Sequence, residues 1–414
     1  MLQIVVIFLT ASALGRLLRL AGQPAVIGEM MAGFLLGPIA LGTVFPHWHA
    51  QLFSPTVADG LRMLSELGLV LFMFLVGAEL AHPQAQKMDL KSVGWVGLLS
   101  LALPFAMGVV ASPWLHAQYA PADSALLPFS LLMGVLFSVT AFPVLARILQ
   151  EQRLSDPRAG RMALMAAALG DVCVWVLLVV VAVVKGRSGD WHGLLMRVGL
   201  LGALCVFSFT ALRPLMANYF RSAAQRGLSV HAFGLMVCGA LVYASLTQAL
   251  QVHAVFGAFI FGACLPRDEA LHRMLSERIQ PLVMVALLPC FFALAGLNTT
   301  EEAFVGKNLW TLLIVIALAT SAKLLGGWIG ARLAGCPSSV AAQVAVLMNT
   351  RGLMEIVVLK IGVDLGVIGQ ELFTIFLVMA IVTTMMTSPI LNWLNRRPQP
   401  QLKRTIADGL EGEN

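Results

Sequence analysis

Charge is scarce in this chain. Only 12% of its 414 residues are Asp, Glu, Lys or Arg, 59% are hydrophobic, and mean hydropathy is +0.86. So little charge cannot cover a water-soluble globule of this length, which excludes a soluble domain and places the chain in a membrane. Paired cysteines are missing as well. Cys173, Cys205, Cys238, Cys264, Cys290 and Cys336 lie scattered through or beside apolar segments, without CxxC spacing or flanking His. They read as packing residues, not as a disulfide framework or a zinc site. There is no HExxH, no GxSxG, no pair of catalytic acids and no nucleotide-binding loop, so nothing points to an enzyme, and no catalytic residue, metal or cofactor is assigned. Low-complexity stretches and soluble modules are absent too. The expected organisation is a single membrane domain over residues 1–396, followed by a short cytoplasmic tail over 397–414 (PQPQLKRTIADGLEGEN from Pro398).

What is present is a succession of apolar runs joined by short polar segments. Each is long enough to approach the roughly 20 residues that a helix needs to cross the hydrocarbon layer. Alternating barrel strands are not seen, and lipid offers no partner to an unpaired backbone group, so the class is an all-α polytopic membrane protein. About thirteen runs can be drawn, at 2–20, 24–44, 60–82, 92–114, 124–149, 160–184, 193–216, 229–249, 252–266, 276–297, 308–334, 338–362 and 371–395. An odd count puts the termini on opposite sides. With Met1 outside, the inner joints collect most of the 27 basic residues, among them Arg16, Arg19, Lys87, Lys91, Arg147, Arg153, Arg158, Arg161, Arg221 and Arg226. The outer joints hold only Lys185, Arg187 and Lys307. That asymmetry predicts an external N-terminus and a cytoplasmic C-terminus. It also explains the net charge of +6 without a nucleic-acid partner. The basic residues of the first run follow its apolar stretch, which argues for a retained helix and against a cleaved leader.

Against this apolar background the ionisable residues inside the runs are informative, because each costs roughly 2.5–3.5 kcal/mol at mid-helix. Asp171 (MAAALGDVCVW), Lys323 (ALATSAKLLGG), Arg351 and Glu355 (MNTRGLMEIVV) stand out. Arg351 and Glu355 are four residues apart and share a helical face, so a structural ion pair is the plain reading for them. Interruptions are the second signal. SVTAFPVLARIL places Pro143 deep in the fifth run, after the hydroxyls of Ser138 and Thr140; MNTRGLMEIV places Asn349, Thr350 and Gly352 deep in the twelfth. Helices four to six then pair with eleven to thirteen in opposite orientation, as expected of inverted repeats with an ion site where two broken helices cross. Glu29 (PAVIGEMM) either anchors its helix or lines an inner funnel. Glu66 and Glu79 bracket the third run as structural or interfacial acids, and His253 opens the ninth as a cap or packing residue.

GQPAVIGEMMAGFLLGP (22–38), LSELGLVLFMFLVGAEL (64–80), SVTAFPVLARILQE (138–151), MAAALGDVCVW (165–175), HAVFGAFIFGACLP (253–266), PCFFALAGLNT (289–299), AKLLGGWIGARLAG (322–335) and NTRGLMEIVVLKIGVDLGVI (349–368) resemble, in order and from about residue 10 to 390, the successive signatures of the cation:proton antiporter-2 family. HAVFGAF and NTRGLMEIVVL are most similar to the bacterial and plant cation/proton exchangers. The resemblance implies the sodium/proton-antiporter fold: a dimerisation panel, a mobile core with two crossing broken helices, and a homodimer. It implies that Asp171 binds proton and cation in turn, with Thr140 helping to coordinate the cation. It further implies that Lys323 pairs with the carboxylate when no cation is bound, and that Arg351 and Glu355 form a charged pair near the second break. One position departs from the pattern: Gly170 stands where many relatives carry another acid or Asn, which puts the stoichiometry in question.

The residues support the same chemistry by themselves. A carboxylate in a partly dry cavity can trade a proton for a cation, and hard monovalent ions want oxygen ligands, here Asp171, Thr140, Ser138 and freed carbonyls. The expected partners are therefore H⁺, Na⁺ or K⁺, and the lipid of a bacterial inner membrane. The alternatives on the same fold are an uncoupled cation pathway and an organic-ion symporter.

Overall fold

The computed structural model describes residues 2–53, 55–80, 90–151, 157–185, 191–225, 230–250, 254–266 and 268–396. The expected tail over 397–414 and His253 lie outside them. Among the described residues only helices and connecting turns occur, as a hydrocarbon solvent requires of backbone that must satisfy itself. The first group of helices is α1 (Leu2–Leu20), α2 (Ala25–Leu36), α3 (Pro46–Leu52) and α4 (Pro55–Leu80). Next come α5 (Leu90–Tyr119), α6 (Leu126–Ser138), α7 (Phe142–Glu151) and α8 (Pro157–Lys185). The middle of the chain forms α9 (Trp191–Phe207), α10 (Arg213–Gln225), α11 (Val230–Ala249), α12 (Ala254–Ala263), α13 (Glu269–Arg278), α14 (Gln280–Leu282) and α15 (Leu288–Leu297). The chain ends with α16 (Lys307–Leu333), α17 (Ser338–Met348), α18 (Leu353–Asp364) and α19 (Gln370–Arg396). π-Helical turns at Ser208–Leu212 and Val283–Leu287 carry the chain directly from α9 into α10 and from α14 into α15.

Ten described segments are long and apolar enough to cross a bilayer. The other three of the expected runs hold shorter helices. Residues 124–149 divide into α6 and α7, residues 338–362 into α17 and α18, and residues 252–266 hold only α12. Helix length therefore does not reproduce the count of thirteen; apolar composition runs on across a break that backbone geometry does not.

The helices assemble into two groups. In one, α2 packs on α1 and α15, and α12 on α4 and α11. Glycine permits the closest approach: a Cβ on Gly33 of α2 would run into the Phe292 carbonyl of α15, and one on Gly296 into the Gly33 carbonyl. Between helices in lipid, such contact supplies the van der Waals packing that hydrophobicity cannot. In the other group α5 packs on α6, α8 and α16, while α17 packs on α8, α16 and α19. The groups meet where α2 touches α19, with Gln23 Nε2 donating to the Met385 carbonyl at 3.1 Å.

Candidate ion site at the helix crossing

The two interruptions face each other. Helix α6 stops at Ser138, Val139 turns extended (φ −55°, ψ 136°), and the chain re-enters a helix at Phe142. Pro143 is the second residue of α7, where its missing N–H would have had no intrahelical partner. It therefore begins the second half-helix, and the break itself lies earlier than the proline suggests, at 139–141. On the other segment α17 ends at Met348, Asn349 caps it, and Gly352 adopts φ 149° before α18 starts. That conformation suits glycine, and a Cβ there would stand 2.9 Å from Val144 Cγ2 of α7. The segments are joined by Ala141 N–H donating to the Thr350 carbonyl and Thr140 Oγ1 donating to the Met348 carbonyl, each at 3.0 Å.

A helix that stops inside a membrane leaves orphan carbonyls carrying the negative end of its dipole. Arg351 answers this for α6, its Nη1 and Nη2 donating at 2.6 Å to the carbonyls of Leu136 and Phe137. Its charge is balanced by Glu355, whose oxygens accept from Nη1 at 3.1 and 2.8 Å; both side chains are wholly buried. Helix α19 supplies the broken backbone with substitute partners. Thr384 Oγ1 accepts from Arg351 N–H and donates to the Arg351 carbonyl, both at 2.9 Å.

Lys323 Nζ is buried on α16 and donates to three oxygens: the Ser100 carbonyl at 2.9 Å, Thr140 Oγ1 at 2.6 Å and the Ser138 carbonyl. Its three N–H groups are thereby used. Asp171, 1% exposed on α8, lies beside the backbone N–H of Phe142 and within electrostatic reach of the Lys323 ammonium, and among the described residues no side chain hydrogen-bonds either carboxylate oxygen. The lysine thus holds the oxygens of the first break and not the carboxylate. Ser138 contributes through its backbone, because its hydroxyl donates to Val135 of its own helix at 2.9 Å.

The crossing brings together Ser138, Thr140, Asp171, Lys323, Asn349, Thr350, Arg351, Gly352 and Glu355. Among the described residues, Thr350 Oγ1 and Asn349 Oδ1 are buried there without hydrogen-bond partners. Glu29 sits half-buried on α2, one residue from Met30, whose sulfur would lie 3.7 Å from a Cβ on Gly352. Around Gly170 the space is open, with nothing within 4 Å of a Cβ added there. Glu66 is exposed and 4.0 Å from Lys360, which pairs with Asp364 at 2.9 Å. Sequence reasoning missed Ser100, which acts through a carbonyl and has no sequence signal. It also missed Thr384, although the hydroxyl-rich IVTTMMTS in an apolar helix was a visible cue.

The description of the transmembrane sodium/hydrogen exchanger family matches residues 4–394. The Na(+)/H(+) antiporter NhaS4 of Synechocystis is 35% identical over 94% of this chain and 95% of its own length. Cation/H(+) antiporter 19 of Arabidopsis thaliana is 37% identical over 98% of this chain, and K(+)/H(+) antiporter 1 of Saccharomyces cerevisiae is 32% identical over 89%. This chain spans 51% and 42% of those two proteins, about half of each. Among solved structures, the sodium proton antiporter MjNhaP1 from Methanocaldococcus jannaschii at pH 8 shares the fold, with a TM-score of 0.62, 14% identity and 94% of each chain covered. With two broken helices crossing beside a buried Asp and Lys, and relatives at this level along nearly its whole length, the chain belongs to the transmembrane sodium/hydrogen exchanger family.

Proposed function

We propose that this protein is a secondary transporter, not an enzyme, that exchanges a monovalent cation, Na⁺ or K⁺, for protons, and that Asp171 is the group that carries one or the other. The observation behind this reading is a buried carboxylate without a side-chain hydrogen bond, set beside an ammonium that occupies the oxygens of a broken helix. An isolated charge in such a place is expensive, so Asp171 is stable only when neutralised by a proton, a cation or the nearby lysine. If the α5–α8 and α16–α19 core moves against the α1–α4 and α11–α15 panel only when Asp171 is neutralised, flow of one ion down its gradient drives the other up. The relatives' names, Na(+)/H(+) and K(+)/H(+) antiporter, agree with this exchange. Asp171 stands without a second acid at Gly170, which favours electroneutral one-for-one exchange.

The asymmetry of basic residues supports an N-terminus outside and a C-terminus in the cytoplasm of a bacterial inner membrane. Residues 1–396 then form one transport domain, with the panel as the surface of a homodimer and Glu29 at the inner funnel. The test uses purified protein in liposomes with a trapped pH dye, wild type beside Asp171→Asn. A cation pulse that moves protons in wild type but not in Asp171→Asn supports the reading. Folded protein in which no alkali cation moves protons sinks it, and cation flux without proton movement would favour an uncoupled pathway.

A further inference from the structure

A proline sits inside one helix of the core at the place where the panel reaches across to it. Pro389 lies within α19, about two turns before the helix ends at Arg396. It has no N–H to give to the carbonyl one turn back, that of Met385. Gln23, in the link between α1 and α2, supplies the missing donor, its Nε2 standing 3.1 Å from that oxygen. From this pairing we infer that Gln23 is a positioning residue for the exchange cycle: a latch that holds panel and core in the arrangement seen here and lets go when the core moves. The inference rests on the exchange reading above and adds a residue to it.

The donor is held ready by its own backbone. Gly22 adopts φ 72°, its N–H donates to the Arg19 carbonyl at 3.0 Å, and the Gln23 N–H donates to the Leu18 carbonyl at 2.8 Å. This pair of bonds closes α1 with a Schellman motif and fixes the path of the link. Pro24 follows at φ −61° and leads directly into α2, so Gln23 is clamped between the end of one helix and the start of the next. Its side chain is only 9% exposed, and an amide buried to that extent is costly unless it is hydrogen-bonded.

A hydrogen bond has a direction and a short reach, and it is lost beyond about 3.5 Å. Trp175 of α8 also meets the panel, its ring 4.8 Å from that of Phe256 on α12, and Met30 of α2 lies beside Gly352. Those contacts are apolar, and dispersion tolerates sliding. A shift of the core along the panel by more than about an ångström therefore parts Gln23 from Met385 while the apolar contacts persist. The Met385 carbonyl then needs another donor, and water can serve. Met385 is half-buried, Pro389 is exposed, and Trp393 on the same stripe of α19 is 54% exposed, as befits an aromatic ring near the membrane surface. The latch thus favours the arrangement in which this edge of the panel–core seam is shut, and its release favours one in which the edge is wet.

Met385→Cys places a thiol at this edge and keeps the carbonyl. The experiment measures how fast a water-soluble maleimide labels that position in the purified protein, read by mass spectrometry, together with cation-driven proton movement in proteoliposomes. Gln23→Leu orphans the carbonyl only while the seam is shut, so labelling should speed up by about tenfold. Proton movement should slow by about threefold or more, because the return to the shut arrangement has become uphill. In a Pro389→Ala background the helix supplies its own N–H to the carbonyl, and the same Gln23→Leu change should then alter labelling by less than about twofold. A side chain that only fills space gives no such rescue. Unchanged labelling in folded Gln23→Leu overturns the latch, and an equal effect in the Pro389→Ala background overturns the role of the proline-freed carbonyl. If Gln23→Leu does not fold, Gln23→Met, which also lacks a donor, carries the same two expectations. If no cation moves protons in wild type, the exchange reading has failed, and the labelling series still decides whether Gln23 holds the seam.

Discussion

Arg351 is the side chain on which the crossing most depends, and the contacts give its removal a magnitude. Arg351→Met keeps much of the apolar length and deletes every donor. Glu355 is left as an uncompensated buried charge, a loss of about 3–5 kcal/mol. The carbonyls of Leu136 and Phe137 lose their partners at about 1–3 kcal/mol each. The sum is on the order of 5 kcal/mol or more, comparable to the whole stability of many folded proteins. Glu355→Gln removes less. It strands the buried guanidinium at about 3–5 kcal/mol, but both carbonyls keep their donors and an amide oxygen still accepts, so the loss stays below that of Arg351→Met. Arg351→Met/Glu355→Met should recover the part due to the stranded carboxylate and be less damaging than Arg351→Met. Thermal unfolding of detergent-purified protein, followed as loss of the monodisperse species, ranks the three. If Glu355→Gln is as damaging as Arg351→Met, or the double variant is worse than Arg351→Met alone, the guanidinium is not capping α6 and the reasoning fails.

Further outcomes follow from neighbouring contacts. Thr384→Val is isosteric but orphans the Arg351 N–H and C=O, so the unfolding midpoint should drop by the equivalent of about 2–4 kcal/mol while Thr384→Ser stays near wild type; equal midpoints would remove α19 from the support of the break. Gly352→Ala forces a Cβ toward Val144 at a backbone angle that side chains avoid, and at least about 1–2 kcal/mol of destabilisation should be measured in the same assay. Gly170→Asp meets no steric obstacle, so its cost should not exceed that of an acid at mid-helix, about 2.5–3.5 kcal/mol, and the folded variant allows charge moved per cation to be compared by the response of exchange to membrane potential. Lys360→Ala removes partly exposed pairs with Asp364 and, at 4.0 Å, Glu66, and should change stability by about 0.5 kcal/mol or less.

Much of this protein is legible without coordinates. Composition fixes the membrane, because apolar area on this scale cannot be dissolved, and the bilayer then leaves helices as the answer. The rarity of charge inside the runs singles out Asp171, Lys323, Arg351 and Glu355, all of which meet at one crossing. The interrupted segments are also visible, since Pro143 and Gly352 act through local backbone geometry. Their limits are not: Pro143 marks where the second half-helix starts, while the break precedes it. What only the tertiary structure decided is who holds whom. Lys323 rests on the carbonyls of Ser100 and Ser138 and on Thr140, and not on a carboxylate oxygen of Asp171. Arg351 serves a helix end more than two hundred residues before it as well as Glu355 on its own segment. Every residue type carries a carbonyl, so no sequence pattern marks the ones that a broken helix frees. Their partners are chosen by how the two halves of the chain pack.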